Sequence, residues 1–212
     1  MGSHIIESRN DSSPAILAFD TSFAHCAAAV LLGDVVVAQA EEPMAKGQAE
    51  RLLVLCEELL AQAGVAYNEL SAIGVGTGPG NFTGIRISVS AARGLALGLG
   101  IPAVGVSVLE ALRFGIDGPC ASAIDARRAQ VYLQVFDGEV AHDPVLSAAD
   151  DLPPFGGPLI GLQENPPAQP IAEAIARLTA QRYRDAPQRP APLYLRPADA
   201  APARDAPPVI LP

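Results

Sequence analysis

The stretch IGVGTGPGNFTGIR, Ile73 to Arg86, decides the fold. A short apolar strand, Ile73 to Val75, runs into a corner with glycines at 76, 78, 80 and 84 around Pro79, and a long helix of small residues leaves it. Glycine takes positive φ at no steric cost and lets other backbones come close, so this density around one proline marks a tightly specified corner. Strand, glycine corner and helix also form the arrangement that aims free backbone N–H groups at an anion. The same letters equally describe a corner built for packing, with nothing bound, and composition alone leaves both readings open.

The letters of the corner, G-x-G-P-G-x-F-T-G-I-R from Gly76 to Arg86, resemble the signature of the TsaB (YeaZ) family, a partner subunit in making threonylcarbamoyladenosine on tRNA. Three further stretches agree in order: ILAFDTS (16–22), IDARRAQVY (124–132) and PLYLR (192–196). The resemblance covers residues 14 to 197. Asn81 stands where the family usually has Ser, Gln48 where it often has His, and Gln130 where it commonly has Glu. The segment from Asp150 to Gln188 is short.

Composition bounds the alternatives. Among 212 residues, half are apolar and 17% charged, which describes a globular chain with enough length for a real core. The net charge of −9 argues against independent nucleic-acid binding, because phosphate affinity comes mainly from Lys and Arg. Lys46 is the only lysine and sits in no glycine loop, which excludes a P-loop lysine. Cys26, Cys56 and Cys120 are odd in number, far apart and set in apolar surroundings, so buried free thiols in a reducing cytosol are expected. No signal peptide is visible, and the longest charge-free run is too short to span a bilayer; a soluble, cytoplasmic protein is expected.

In chain order, MGSHIIESRNDSS (1–13) reads as an expression scar with a disordered lead. Strands are expected over Ala15–Phe19, Cys26–Leu32 and Val35–Ala40, the last two joined by a Gly33-Asp34 hairpin turn. A helix follows from Gln48 to Ala63, ended by Gly64. Its apolar residues Leu52, Leu53, Leu55, Cys56, Leu59, Leu60 and Ala63 fill an arc of about 160° at 100° per residue, wider than the roughly 100° stripe a helix needs for one core. The width fits either a helix that also meets a partner or one more deeply buried in its own domain.

The next helix, Thr83 to Leu99, carries Ser90, Gly94 and Gly98 in a ridge spaced by four. A helical glycine costs about 1 kcal/mol relative to Ala, so close backbone approach is expected to compensate. Arg86 and Arg93 share a face. A strand (Ala103–Val106) and a helix (Val108–Phe114) follow, then strands over Ala121–Ile124, Ala129–Phe136 and Glu139–His142. A short strand (Pro158–Leu162) and a helix (Ile171–Tyr183) complete the body. The expected divisions are a lobe over 14–106, a smaller lobe over 107–190, a docked segment at 191–197, and a disordered Pro/Ala-rich tail over 198–212.

Three strands followed by helix, strand and helix match the ribonuclease-H-like lobe of the actin-like/sugar-kinase (ASKHA) superfold, an α/β class. There the loop after the first strand, here Asp20 and Thr21, faces nucleotide phosphates and metal. The plainer reading of Asp20 is a turn residue bonded to its own backbone. Asp125 with Arg127 could grip a ligand, or simply close a turn.

Searches for chemistry give no catalytic residue and no metal site. There is no H-x-x-x-H pair and no G-x-S-x-G elbow, and His4, His25 and His142 are too scattered. The phosphate-gripping turns of a kinase are missing.

The resemblance implies a non-catalytic subunit that binds a TsaD-type catalytic protein through its first two helices, at Leu52, Leu53, Cys56, Leu60, Arg86, Ser90, Arg93, Gly94, Leu97 and Gly98. The family-motif loops are Asp20, Thr21, Gly76, Gly78, Pro79, Gly80, Asn81, Phe82, Thr83, Gly84, Asp125 and Arg127. A TsaE-type ATPase is the implied third partner, and tRNA is met only indirectly. A homodimer through the same face is expected when the chain is alone. No cofactor of its own is implied, with ATP or ADP at the shared interface left open. The rival is an independent ATP-using phosphotransferase or hydrolase of the same superfold.

Overall fold

Both faces of the first sheet are covered, and the side-chain alternation along β1 shows how. The structure is a computed structural model that describes residues 13–162, 165–185 and 189–196. The expected lead (1–13, apart from Ser13) and the tail (198–212) lie outside the described residues. The first sheet contains β1 (Ala15–Asp20), β2 (His25–Leu32), β3 (Val35–Pro43), β4 (Ala72–Gly76) and β5 (Ala103–Val106), in the order β3-β2-β1-β4-β5. The first three strands are antiparallel, and β4 and β5 run parallel to β1. This is the ribonuclease-H-like order, and the fold is the expected actin-like α/β class.

Helices α1 (Gln48–Ala63) and α2 (Phe82–Leu99) lie on one face. There Leu17 and Phe19 of β1 join Leu52, Leu55, Leu59, Ile85 and Val89 in one core. Ile16 and Ala18 point the other way and pack with Ile175 and Leu178 of a late helix, α4 (Ile171–Arg182). Burial on both faces makes these strands continuous apolar runs rather than alternating ones. Gly74 lets α4 sit close to the sheet, since a Cβ there would stand 2.4 Å from Thr179 Oγ1.

The short α3 (Val108–Arg113) leads to a second sheet built on the hairpin β6 (Cys120–Arg127) and β7 (Gln130–Asp137). The strands β8 (Val140–Ala141) and β9 (Val145–Ala148) pair with successive parts of β7, and β10 (Leu159–Ile160) lies parallel to β6. Taking β8 and β9 as one interrupted strand, the pairing repeats β3-β2-β1-β4 in miniature, a structural repeat that no sequence repeat announces.

Three differences from the sequence reading have physical causes. β9 was not expected, because VLSA is short, follows Pro144 and is largely exposed at an edge, with no clean alternation. The β6–β7 turn is tighter than the expected 125–128, because Arg127, Arg128 and Ala129 all take positive φ without a glycine to mark it. Finally, α4 belongs to the 107–190 stretch, yet it packs on the first sheet in a core shared with Ile124, Tyr132 and Ile160.

Candidate functional site

Asp20 ends β1 with its carboxylate turned inward and wholly buried. It accepts from the Ser22 N–H (3.0 Å) and the Ser22 hydroxyl (2.8 and 2.9 Å), and its Oδ2 lies 2.8 Å from His25 Nε2. Glu41 reaches the other ring nitrogen of His25 at 3.2 Å. Both carboxylate oxygens are engaged, and the bond from the Ser22 N–H is the turn contact of the plainer sequence reading, with the Ser22 hydroxyl and His25 added to it.

The glycine corner closes over this turn. A Cβ on Gly76 would stand 1.9 Å from Asp20 Oδ1, one on Gly80 2.4 Å from the Ser22 carbonyl oxygen, and one on Gly84 1.9 Å from that of Thr21. Thr21 Oγ1 donates to the Gly84 carbonyl at 2.7 Å, and the Asn81 N–H donates to that of Ser22 at 2.7 Å. Asn81 also caps α2, its Oδ1 accepting from the Thr83 and Gly84 N–H groups. Two of the N–H groups that would face an anion, those of Thr83 and Gly84, are therefore spent on the cap. Glycines 76, 80 and 84 are there for packing. Among the described residues, no three His, Cys, Asp or Glu side chains gather as a metal set.

His25 is held above its ordinary value. Burial opposes its charge, but the Asp20 and Glu41 carboxylates outweigh burial. A raised folded-state value contributes stability that is fully present below the unfolded value near 6.5 and is lost as pH rises through the higher folded value. The urea midpoint should therefore fall over that upward interval, and His25→Gln should flatten the fall. An unchanged pH profile in the variant would contradict the network.

All three cysteines are free and buried. Burial pushes the Cys26 thiol up to about 11 and that of Cys56 to about 12, which leaves both unreactive at neutral pH.

The proposed two-helix face divides. Leu52, Cys56 and Leu60 are core residues packed beneath α1, and no partner reaches them. This corrects their assignment to the interface: the wide apolar arc mixed the inward stripe with the outward one. Outward on α1 stand Leu53, 42% exposed at the edge of the arc, and Val54, 46% exposed, which was missed because at about 100° per residue it falls outside the arc altogether. On α2, Leu97 is 78% exposed, and Ser90, Gly94 and Gly98 are exposed, while Arg93 is half-buried. A Cβ on Gly94 or Gly98 would meet nothing within 4 Å, so no part of the described chain makes the close approach expected there.

Arg86 does not pair with Arg93 as an open anion clamp. Its guanidinium lies over the Phe82 ring at 4.1 Å, and its Nε donates to the Tyr194 hydroxyl at 3.1 Å. Tyr194 stacks on Phe82 at 5.0 Å, and the Leu193 N–H donates to the Thr77 carbonyl at 2.8 Å, so residues 193–196 strap across the corner. Asp125 accepts from the Arg127 backbone N–H at 2.7 Å, a turn contact rather than a side-chain grip. The strap, the corner and the β6–β7 turn line a half-open cavity of about 860 Å³ between the two sheets, with Gln48 among its lining.

Comparisons with known proteins come down on one family. The family model for TsaD, tRNA N6-adenosine threonylcarbamoyltransferase, matches residues 37–178. An uncharacterized protein of Mycobacterium tuberculosis is 32% identical over 202 residues, covering 88% of this chain and 94% of that one. The tRNA threonylcarbamoyladenosine biosynthesis protein TsaB of Escherichia coli is 37% identical over 122 residues, covering 55% of this chain and 52% of that protein. The match thus spans about half the length of that relative. The solved structure of YeaZ from Pseudomonas aeruginosa superposes with a TM-score of 0.67 at 27% identity, covering 86% of this chain and all of that one.

Proposed function

The chain belongs to the TsaB (YeaZ) family, and on that premise we propose that it is an accessory, non-catalytic subunit in making tRNA threonylcarbamoyladenosine. It docks on a TsaD-type threonylcarbamoyltransferase through the outer face of α1 and α2 and holds that enzyme in its competent arrangement. The observation that carries this reading is the α2 ridge: Gly94 and Gly98 weaken their helix, nothing in the described chain packs on them, and exposed Leu97 lies between them. Leu53, Val54 and Leu97, already partly covered, together offer roughly 2–5 kcal/mol of gross apolar burial before the cost of association is subtracted. In the absence of its partner, a second copy covers the same face.

A TsaE-type ATPase joins the assembly, ATP or ADP sits at the shared interface rather than at the sealed Asp20 turn, and tRNA is held by the partners because this chain carries a net charge of −9. The chain works in the cytoplasm. No helix among the described residues is long and apolar enough to cross a membrane.

The rival reading, an independent phosphotransferase or hydrolase, is tested by ATP turnover of the chain alone. The sealed turn predicts none above buffer. Turnover that disappears in Asp20→Ala would overturn the accessory role.

A further inference from the structure

We propose that the cavity between the two sheets binds a small aromatic anion, a planar apolar body bearing one carboxylate or sulfonate, with Arg127 and Arg196 receiving the charge. This inference stands on the cavity and is independent of the α1/α2 face. At about 860 Å³ the cavity falls within the range of small-molecule sites. Leu112, Ile124 and Tyr132 line it with apolar surface, and Phe23, Phe82 and Tyr194 add aromatic rings. That lining suits a flat apolar body.

The charged lining has the sign opposite to that of the chain. Among the described residues of the lining, Arg127 and Arg196 face one carboxylate, Asp125, which already accepts from the Arg127 backbone. Arg127 stands at positive φ on the β6–β7 turn, and Arg196 is braced by a hydrogen bond of 2.7 Å to Gln130 Oε1. Guanidinium groups bind carboxylate-like anions with two parallel donors. A metal–triphosphate is a poor match. The glycine corner is packed against the Asp20 turn, Asn81 occupies the Thr83 and Gly84 N–H groups, and the described residues hold no metal cluster. One anion on the second-sheet side fits the groups present.

The test titrates the full chain with 8-anilinonaphthalene-1-sulfonate and, in parallel, with N-phenyl-1-naphthylamine, which has the same rings without the sulfonate. Ala45→Trp, at an exposed position on the cavity wall, gives the chain its only tryptophan and reports where the dye sits by energy transfer. We expect one saturable sulfonate site at which the dye signal and the quenching of the introduced indole share a midpoint. The double variant Arg127→Gln, Arg196→Gln, with unchanged circular dichroism, should weaken the sulfonate about tenfold and leave the neutral dye unaffected. Four results would each overturn the proposal: no saturable binding, no quenching, equal loss of both dyes, or displacement of the sulfonate by Mg-ATP, which would make the cavity a nucleotide site.

Discussion

Gly84→Ala should destabilise the protein by about 3 kcal/mol or more, whereas Gly94→Ala, further along the same helix, should stabilise it by about 0.5–1 kcal/mol. Both glycines are helical, so propensity alone predicts the same small gain for each. The difference lies in what a Cβ would meet. At Gly84 it would stand 1.9 Å from the Thr21 carbonyl oxygen, a backbone atom fixed by the buried Asp20 turn, so either the turn or the first turn of α2 must move. At Gly94 the space is open. Urea midpoints of the two single variants at one pH measure the contrast. Similar midpoints would mean that the corner yields readily and is not the packed joint described above.

The second large effect is on association. Leu97→Asp, or Leu53→Asp combined with Gly94→Leu, should weaken binding to a TsaD-type partner by about 100-fold, equivalent to about 2.7 kcal/mol. A carboxylate at these positions costs the isolated chain far less than in the core, because Leu97 is 78% and Leu53 42% exposed. It becomes costly only when a partner takes the water away. Leu52→Asp is not an equivalent probe, because Leu52 is core and its loss would unfold the chain. Calorimetric titration, with circular dichroism to confirm folding, gives the answer. Undiminished affinity in both variants would move the docking surface elsewhere.

Much of the fold could be read from the letters. The apolar runs at Ala15 and Ile73, the Gly33-Asp34 turn and Gly64 as a left-handed helix stop are local signals, and the structure follows them. The second sheet was harder to read, because the Arg127–Ala129 turn uses left-handed residues without glycine and β9 is a four-residue edge strand with no clean alternation. At the candidate site, periodicity identified a helix with too much apolar surface but could not separate the buried Leu52, Cys56 and Leu60 from the exposed Leu53 at the edge of the same arc. That separation depends on how the helix is rolled on its sheet. The inward Asp20 network was also illegible as a unit, since Glu41 reaches His25 only through the pairing of β2 with β3. Nor does spacing show that Arg86 turns to Tyr194, whose partnership spans over a hundred residues.

The most direct test of the central claim is a drop-out reconstitution of the tRNA modification. TsaD-type and TsaE-type partners, threonylcarbamoyl-adenylate, ATP and unmodified tRNA are assayed with and without this chain. The accessory role predicts modified adenosine only when the chain is present. Equal product without it would contradict that role.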